Sequence, residues 1–277
     1  MPNDLARYGD QPNDASSLTR KCRLLQSWYR VELAKQAKCG PWRIGASSVG
    51  SSLLCGELSG ANFISPAAFM YAKEKVAEKQ ANPELTIDEH RLFNNMLSSQ
   101  PMCFNLLADL RLGLQANWPS ATQVLAAMFA QSRMSRICSV EVEMIPRPIS
   151  ENIDDKTAFD ALIRFEGQDG KNGLAAIETK YTDKLGGNVA SKQDRKFALA
   201  ADLHLLTDAG TSWCRDHRFD QVARNFLLTV AFAHRHSIEN AINYVVGPID
   251  DTETPRMVAD LNARHIPSRM RLWATTA

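Results

Sequence analysis

Apolar residues recur at helical spacing through the first half of the chain. The first such series is Leu18, Cys22, Leu25, Tyr29 and Leu33. With Ser16 or Ser17 as a cap, it predicts an amphipathic helix that ends at Gly40-Pro41. Further helices are predicted at 66–82, 87–99, 103–114 and 120–131. Ser65-Pro66 and the capping box Thr86–Glu89 open two of these, and Pro101 is expected to break the pattern.

From about Cys138 the pattern changes to the alternation that is typical of strands. Val140, Val142 and Met144 alternate with Glu141 and Glu143, which predicts a half-buried strand. Runs at 158–166 and 174–181 flank the turn-rich segment 167–173, and together they predict a hairpin. The remaining predicted elements are helices at 191–206 and 220–236, a strand at 244–247, a helix after Thr254-Pro255, and a strand at 270–274. The fold class is therefore mixed α/β.

Composition and length set the expected domain organisation. The chain has 277 residues, 44% hydrophobic and 23% charged, which is enough for a large core. A polar, flexible tail is expected over residues 1–16 and a single domain over 17–277. Within that domain, residues 17–136 are expected to be mainly helical and 137–277 to form the α/β catalytic core.

Charge, cysteines and targeting signals narrow the class of protein. The net charge of +1 excludes a protein that binds nucleic acid through an overall basic surface. Any surface that binds nucleic acid must therefore be a local one. The six cysteines are scattered without a C-x-x-C pair, which indicates reduced thiols. Neither a membrane span nor a secretory signal is visible, so we expect a cytoplasmic protein that does not bind a membrane.

The predicted hairpin carries the candidate catalytic residues. Glu178 and Lys180 are two apart on a strand, so their side chains leave the same face. Asp160 on the preceding strand shares that face only if paired residue numbers sum to an even value, such as 338 or 340, which needs an odd-length loop. The apolar alternation favours this register. We therefore expect Asp160, Leu162, Glu178 and Lys180 on one face.

These residue types suit metal-assisted hydrolysis of a phosphodiester. Mg²⁺ prefers hard oxygen ligands at about 2 Å and keeps several waters in its shell. Asp160, Glu178 and the Thr179 carbonyl are the predicted metal ligands. Lys180 would position the attacking water and add positive charge beside the transition state. Asp160, Glu178 and Lys180 are thus the predicted catalytic residues.

The alternative interpretation of Glu-x-Lys is an exposed cross-strand charge pair. The hairpin context, the Asp on the preceding strand and the apolar run Leu174–Ile177 favour the metal site. Two other stretches do not match a known functional motif. The Gly- and Ser-rich stretch at 45–62 lacks the residues of a phosphate loop, and His234-Arg235-His236 lacks zinc-ligand spacing.

The chain resembles a bacterial branch of the PD-(D/E)XK superfamily that is described as restriction endonucleases. The segments that carry the resemblance are Gly60–Phe63, Leu92–Leu106, Phe159-Asp160, Ile177–Tyr181 and Gln221–Asn225. The resemblance implies a restriction-endonuclease-like mixed sheet flanked by helices. It also implies that Asp160 and Glu178-Thr179-Lys180 lie on adjacent strands and bind Mg²⁺ or Mn²⁺. The implied activity is a DNA nuclease of restriction or antiviral defence.

Some residues depart from the superfamily pattern or match it in part. Phe159 stands where the superfamily name has proline, which the chemistry does not require. Many relatives place an acidic residue on a helix before the first strand, whereas here nothing acidic lies between Glu89 and Glu141 except Asp109, so a fourth carboxylate is unassigned. Gln193, followed by Phe197, is half of a Gln-x-x-x-Tyr pair. The candidate substrate-binding residues are Gln193, Gln221, Arg224 and Lys184, although an Arg on so apolar a helix also suits a buried carboxylate.

Two other functions compete with the DNA nuclease. One is a catalytically silent nuclease-like subunit for DNA binding or assembly, which the near-neutral charge favours and the intact Asp160, Glu178 and Lys180 oppose. The other is a metal hydrolase of a small phosphate ester, which would need a closed pocket. DNA is the favoured partner and RNA stays open, as does association with a second copy or with a defence-system protein.

We predict that binding of DNA weakens steeply with salt. The sequence offers Lys and Arg side chains for phosphates but no base-reading motif. Fluorescence anisotropy of a labelled duplex across a salt series measures this dependence. Salt-insensitive, sequence-specific binding would contradict it.

Overall fold

The computed structural model describes residues 4–14, 16–154, 156–182, 198, 202, 204–216 and 218–264, and the backbone of 270–276. The chain divides into two compact units. Unit 1 comprises Met1–Asn82, Ile87–Asp109 and Tyr181–Asp183, and unit 2 comprises Pro83–Thr86, Leu110–Lys180 and Lys184–Ala277. The division at 109/110 falls inside a helix and differs from the boundary at 136/137 that the change of pattern predicted.

Unit 1 is built from helices and one small sheet. Its helices are α1 (Ser17–Glu32), α2 (Gly56–Ser59), α3 (Pro66–Ala81), α4 (Glu89–Phe93) and the first part of α5 (Ser99–Gln115). Strands β1 (Cys39–Pro41) and β2 (Ser48–Leu53) pair antiparallel. Ser16 caps α1 and Ser65 caps α3, as predicted, because each hydroxyl accepts a backbone N–H of the first turn.

The described part of the segment expected to be a tail packs against the rest of unit 1. The Gly50 N–H donates to the Asp10 carbonyl at 2.8 Å. Arg30 is fully buried and donates to the carbonyls of Tyr8, Gly50 and Ala37 at 2.8–3.0 Å. The N–H donors of a buried guanidinium need acceptors, and those of Arg30 find backbone carbonyls in three segments of the chain. The same contacts explain why α1 ends at Glu32 and not at Gly40.

The helical break predicted at Pro101 lies earlier in the chain. The structure interrupts the helices at residues 94–98, and α5 then begins at Ser99 with Pro101 in its first turn. Proline is tolerated there because first-turn N–H groups have no helical partner. Asp88, and not Thr86, caps α4 by accepting the Arg91 N–H at 3.0 Å.

Unit 2 contains a five-stranded mixed sheet in the order β3-β4-β5-β6-β7. The strands are β3 (Met134–Met144), β4 (Phe159–Gly167), β5 (Asn172–Thr179), β6 (Asn240–Gly247) and β7 (Met270–Thr276). The pairs β3/β4 and β4/β5 are antiparallel, whereas β5/β6 and β6/β7 are parallel. This arrangement confirms the predicted mixed sheet.

Helices cover the sheet on both faces. The helices of unit 2 are α6 (Pro119–Met128), α7 (Asp208–Arg215), α8 (Asp220–Arg235) and α9 (Glu253–Arg264). Leu162, Ala176 and Val245 belong to one buried cluster with the apolar residues of α7, α8 and α9. On the other face, Tyr244 packs against Phe129 with ring centroids 4.9 Å apart. Both faces of the central strands are therefore buried.

Some elements of the structure were not predicted from the sequence, and others were confirmed. Helix α7 and strands β1 and β2 were not predicted, and the helix predicted at 191–206 lies largely outside the described residues. Helix α8 and the last strand are confirmed. Within the part of the chain that the structure describes, no helix combines the length and the apolar character that a membrane crossing needs.

Tyr244 provides a test of the packing under the sheet. Its hydroxyl is fully buried and lies 2.5 Å from the Ser132 hydroxyl. Tyr244→Phe leaves Ser132 without this partner, so we expect a loss of about 1–3 kcal/mol in unfolding free energy, measured by urea denaturation. The Tyr244→Phe/Ser132→Ala double variant is the control, and it should recover part of that loss. Equal stability of Tyr244→Phe and the wild type would contradict this account.

Candidate active site

The β4–β5 hairpin brings Asp160 and Glu178 to neighbouring positions. Ala161 pairs with Ile177 and Leu162 pairs with Ala176, so the next position of this register sets Asp160 opposite Glu178. The hydrogen bond from the Gly167 N–H to the Lys171 carbonyl, at 2.8 Å, closes a three-residue turn. The loop is therefore of odd length, and the predicted even register is confirmed.

At the end of the hairpin where the pairing of β4 with β5 stops, the Asp160 carboxylate takes the place of a backbone hydrogen-bond acceptor. Its Oδ2 accepts the Thr179 N–H at 2.7 Å and the Thr179 hydroxyl at 2.8 Å. The regular pairing of β4 with β5 stops at Ala161 and Ile177. Asp160 thus satisfies a buried N–H that the ladder no longer reaches, and this fixes the position of its carboxylate.

Glu178 is buried to 3% exposure and has three charged or polar donors. Gln221 Nε2 donates to its Oε1 at 2.7 Å, and Asn225 Nδ2 donates to its Oε2. Lys180 Nζ forms an ion pair with Oε1. Gln221 and Asn225 are four residues apart on α8, so both amides leave the same helix face. The helix therefore orients the carboxylate from the side opposite the strand.

Lys180 is also 3% exposed, and it lies just past the end of β5. Its backbone N–H donates to the Val246 carbonyl at 2.7 Å, which continues the pairing with β6. Desolvation makes an unpaired buried ammonium costly, and the Glu178 carboxylate supplies the compensating charge for Lys180. The two charges form a buried pair and not the exposed cross-strand pair of the alternative interpretation.

Glu143 is a third acidic residue at the site, and sequence reasoning did not assign it. Val142 pairs with Ala161 and Met144 with Phe159, so Glu143 lies opposite Asp160 on β3. It is 5% exposed and has a left-handed φ of 53°, a strained conformation for a non-glycine residue. Glu143, Asp160 and Glu178 thus form a row across three adjacent strands. The alternation of β3 contained the signal, but only the β3–β4 register reveals it.

The row of carboxylates changes the proton affinity of its central member. Burial, and then the charge of Glu178, raises the pKa of Asp160 well above its ordinary value. Glu143 raises this pKa further, whereas Lys180 and the Thr179 N–H lower it. Like charges in a desolvated row cannot all ionise freely. Asp160 therefore holds a proton more readily than an ordinary aspartate when no cation is bound.

The predicted substrate-binding residues have different environments. Gln221 donates to Glu178, so it orients a carboxylate in this structure. Arg224 Nη2 lies 3.5 Å from Asp220 Oδ2, which agrees with the alternative that this Arg pairs with a carboxylate. Lys184 and Gln193 lie outside the described residues.

The donor set fits a magnesium-type cation. Mg²⁺ is usually bound through one or two carboxylates and completes its shell with waters and phosphate oxygens. Asp160 and Glu178 supply two such carboxylates, and the Thr179 carbonyl is the third predicted ligand. In the described part of the chain, no group of three or more His, Cys, Asp or Glu side chains has the arrangement of an all-protein metal site. A site that shares its cation with water and substrate does not need one.

Comparison with known families identifies the group to which the protein belongs. A model of the PD-(D/E)XK nuclease superfamily matches residues 12–275. The chain belongs to this superfamily. No curated protein and no solved structure matches the chain. Membership implies a nuclease, which hydrolyses phosphodiester bonds. In this PD-(D/E)XK protein, Phe159 precedes Asp160 where the motif name has proline.

The raised pKa of Asp160 predicts an effect on stability. An aspartate whose pKa is higher in the folded state lowers stability once it ionises, and this penalty is absent below its unfolded pKa of about 3.9. In EDTA at pH 8, we expect Asp160→Asn to raise Tm, because the amide carries no charge and so avoids this penalty. The gain should shrink toward pH 4. Differential scanning fluorimetry across pH measures it.

The matched control is Asp109→Asn, because Asp109 is exposed on α5. This variant should have the wild-type Tm at both pH values. If Asp160→Asn lowers Tm at pH 8, Asp160 is a net stabilising ion-pair member and the electrostatic description of the row is wrong.

Proposed function

We propose that this PD-(D/E)XK protein is a Mg²⁺-dependent nuclease of DNA, with Asp160, Glu178 and Lys180 as catalytic residues. The supporting observation is the buried pair of Lys180 and Glu178 beside Asp160. An ion pair buried in this way is a poor device for stability, because desolvation offsets its attraction. The need to present fixed charge to a phosphodiester accounts for a buried ion pair at this position.

Asp160, Glu178 and the Thr179 carbonyl would hold the cation, with Mn²⁺ as a substitute. When bound, a divalent cation supplies Lewis-acid chemistry: it lowers the pKa of a water and neutralises charge on phosphate oxygens. It would also favour the ionised form of Asp160, whose pKa is raised in its absence.

Lys180 acts on the reacting groups. In hydrolysis, a water oxygen forms a bond to phosphorus while the bond to one sugar oxygen breaks, and negative charge grows on the phosphate. A fixed ammonium stabilises that charge without reorganisation in the transition state. Lys180 is pre-positioned for this role by Glu178 and by its backbone bond to Val246.

Gln221, Asn225 and Glu143 are positioning residues in this proposal. The amides of Gln221 and Asn225 hold both oxygens of Glu178 in place. Glu143 adds negative charge beside Asp160 and so favours a cation at the row. Its strained backbone is consistent with a site at which function, and not stability, determines the residue.

The biological setting is part of the proposal. The resemblance to bacterial restriction endonucleases supports a role in restriction or antiviral defence, and DNA as the substrate. A cytoplasmic location is supported by the six free cysteines. Association with a second copy or with a defence-system protein stays a prediction.

The activity is tested with the purified chain on circular and linear duplex DNA, single-stranded DNA and RNA, each in Mg²⁺, Mn²⁺ and EDTA. We expect cleavage of DNA in Mg²⁺ or Mn²⁺ and none in EDTA. Cleavage of RNA alone would overturn the choice of substrate. Metal and DNA binding without cleavage of any substrate would favour the silent nuclease-like subunit.

Variants separate the roles of Glu178 and Lys180. Glu178→Ala removes a ligand oxygen, so divalent-metal binding and cleavage should be lost together. Lys180→Ala removes a positive charge near the cation, so metal binding should persist while the cleavage rate falls by about 10² or more. Calorimetric Mn²⁺ titration and a plasmid-nicking time course measure the two effects.

Matched controls come from exposed ion pairs of the same sheet. Glu166→Ala and Lys171→Ala disrupt the pairs with Arg136 and Glu239, and both should bind metal and cleave as the wild type does. Glu178→Gln keeps the shape of the side chain if Glu178→Ala does not fold. Wild-type cleavage by Lys180→Ala, with normal metal binding by Glu178→Ala, would show that the proposed site is wrong.

A further inference from the structure

Unit 1 contains a groove that the proposed chemistry does not use. Its volume is about 280 Å³, and none of its twelve lining residues carries a charge. The walls combine apolar side chains such as Met96 and Met102 with the aromatic residues Tyr29 and Tyr181. A phosphate or a metal ion would find no compensating charge in this lining, so the groove suits a neutral and largely planar group.

Much of the groove wall comes from two segments that carried the family resemblance but supply no catalytic residue. Asn62 comes from Gly60–Phe63, and Met96, Met102 and Asn105 come from Leu92–Leu106. The Asn105 side chain donates to the Asn62 carbonyl at 3.0 Å and accepts the Ile64 N–H at 3.0 Å. These bonds tie the two segments together, so the wall of the groove is fixed by paired amides and not by loose loops.

Two amide side chains in the lining offer acceptors. Asn62 Nδ2 donates to the Leu92 carbonyl at 2.9 Å, and because a carbonyl can only accept, the orientation of this amide is determined. Gln26 Nε2 donates to the Tyr181 hydroxyl at 2.9 Å. Among the described residues, no hydrogen bond engages Asn62 Oδ1 or Gln26 Oε1. The groove therefore presents acceptors that an amino group would satisfy.

Tyr181 links the groove to the catalytic motif along the chain. It directly follows Lys180, so the groove wall begins one residue from the proposed catalytic lysine. An aromatic ring at this position offers a stacking surface of the kind that nucleic-acid enzymes use for bases.

We propose that the groove of unit 1 binds one nucleobase of the substrate strand and prefers bases with an exocyclic amino group, namely adenine, cytosine or guanine. This inference rests on the proposed function, because that function makes nucleic acid the substrate. The volume lies just below the roughly 300 Å³ at which pockets for larger ligands begin, which suits a single base. The neutral lining selects the base over the phosphate, and the amide acceptors select an amino group over the carbonyl edge of thymine.

The test measures binding of single-stranded oligonucleotides in EDTA, where no cleavage occurs. Each labelled oligonucleotide is a tract of abasic residues with one central adenine, cytosine, guanine, thymine or abasic residue, and fluorescence anisotropy gives Kd. We expect the amino-bearing bases to bind about 5- to 150-fold more tightly than the abasic site, the range for one stacked base. Thymine should fall between them. Equal Kd for all five oligonucleotides would overturn the proposal.

Met102→Trp fills the groove and should abolish the differences between the five oligonucleotides. Its matched control is Met70→Trp, because Met70 is 54% exposed on α3 and does not line the groove. This control should keep the wild-type preferences. Unchanged preferences in a folded Met102→Trp protein would also overturn the proposal.

Gln26→Met is a second variant that does not depend on tolerance of a large side chain. It removes one acceptor and keeps the apolar stem, so we expect the preference for amino-bearing bases over thymine to fall while the preference over the abasic site persists. Retention of the full preference would contradict the role of Gln26.

Cleavage assays in Mg²⁺ separate this proposal from the proposed function. Cleavage without any base preference would support the proposed nuclease and contradict the base-binding groove. Base preference without cleavage of any substrate would support the base-binding groove and contradict the proposed nuclease.

Discussion

The α/β unit depends on the compensation of one buried negative charge. Glu178 is 3% exposed, and an isolated carboxylate in that position would not be stable. Two amides from α8 and the ammonium of Lys180 provide the compensation. This requirement links β5 to α8 and determines which helix face meets the sheet. The same donors pre-orient the carboxylate, so that one arrangement stabilises the fold and prepares the proposed metal site.

The site also contains features that oppose stability. Glu143 has a strained backbone, and Asp160 lies in a row of carboxylates that raises its pKa. Such features are typical of functional sites, because a cation or a substrate relieves a repulsion that the folded chain alone must tolerate. The extensive burial of both sheet faces provides the stability that offsets this cost.

The two units have different chemical characters. The described catalytic candidates of unit 2 are charged, buried and held by strand register and by α8. The groove of unit 1 is neutral and is held by amides such as Asn62 and Asn105. The two environments suit different parts of a nucleic acid, since phosphate chemistry requires charge whereas a base is bound by stacking surfaces and hydrogen bonds. The tyrosine that follows Lys180 belongs to the second kind.

The sequence by itself determined the local features of this protein. Ser65 and its following proline predicted a helix start, and the apolar alternation of the two hairpin strands predicted the even register that sets Asp160 opposite Glu178. These features depend on neighbours in the chain. Only the tertiary structure decided that Gln221 and Asn225 serve Glu178, which lies 43 and 47 positions away, and that Glu143 joins the row. Such partners depend on the order of strands and the placement of helices, which the periodicity of a single segment does not specify.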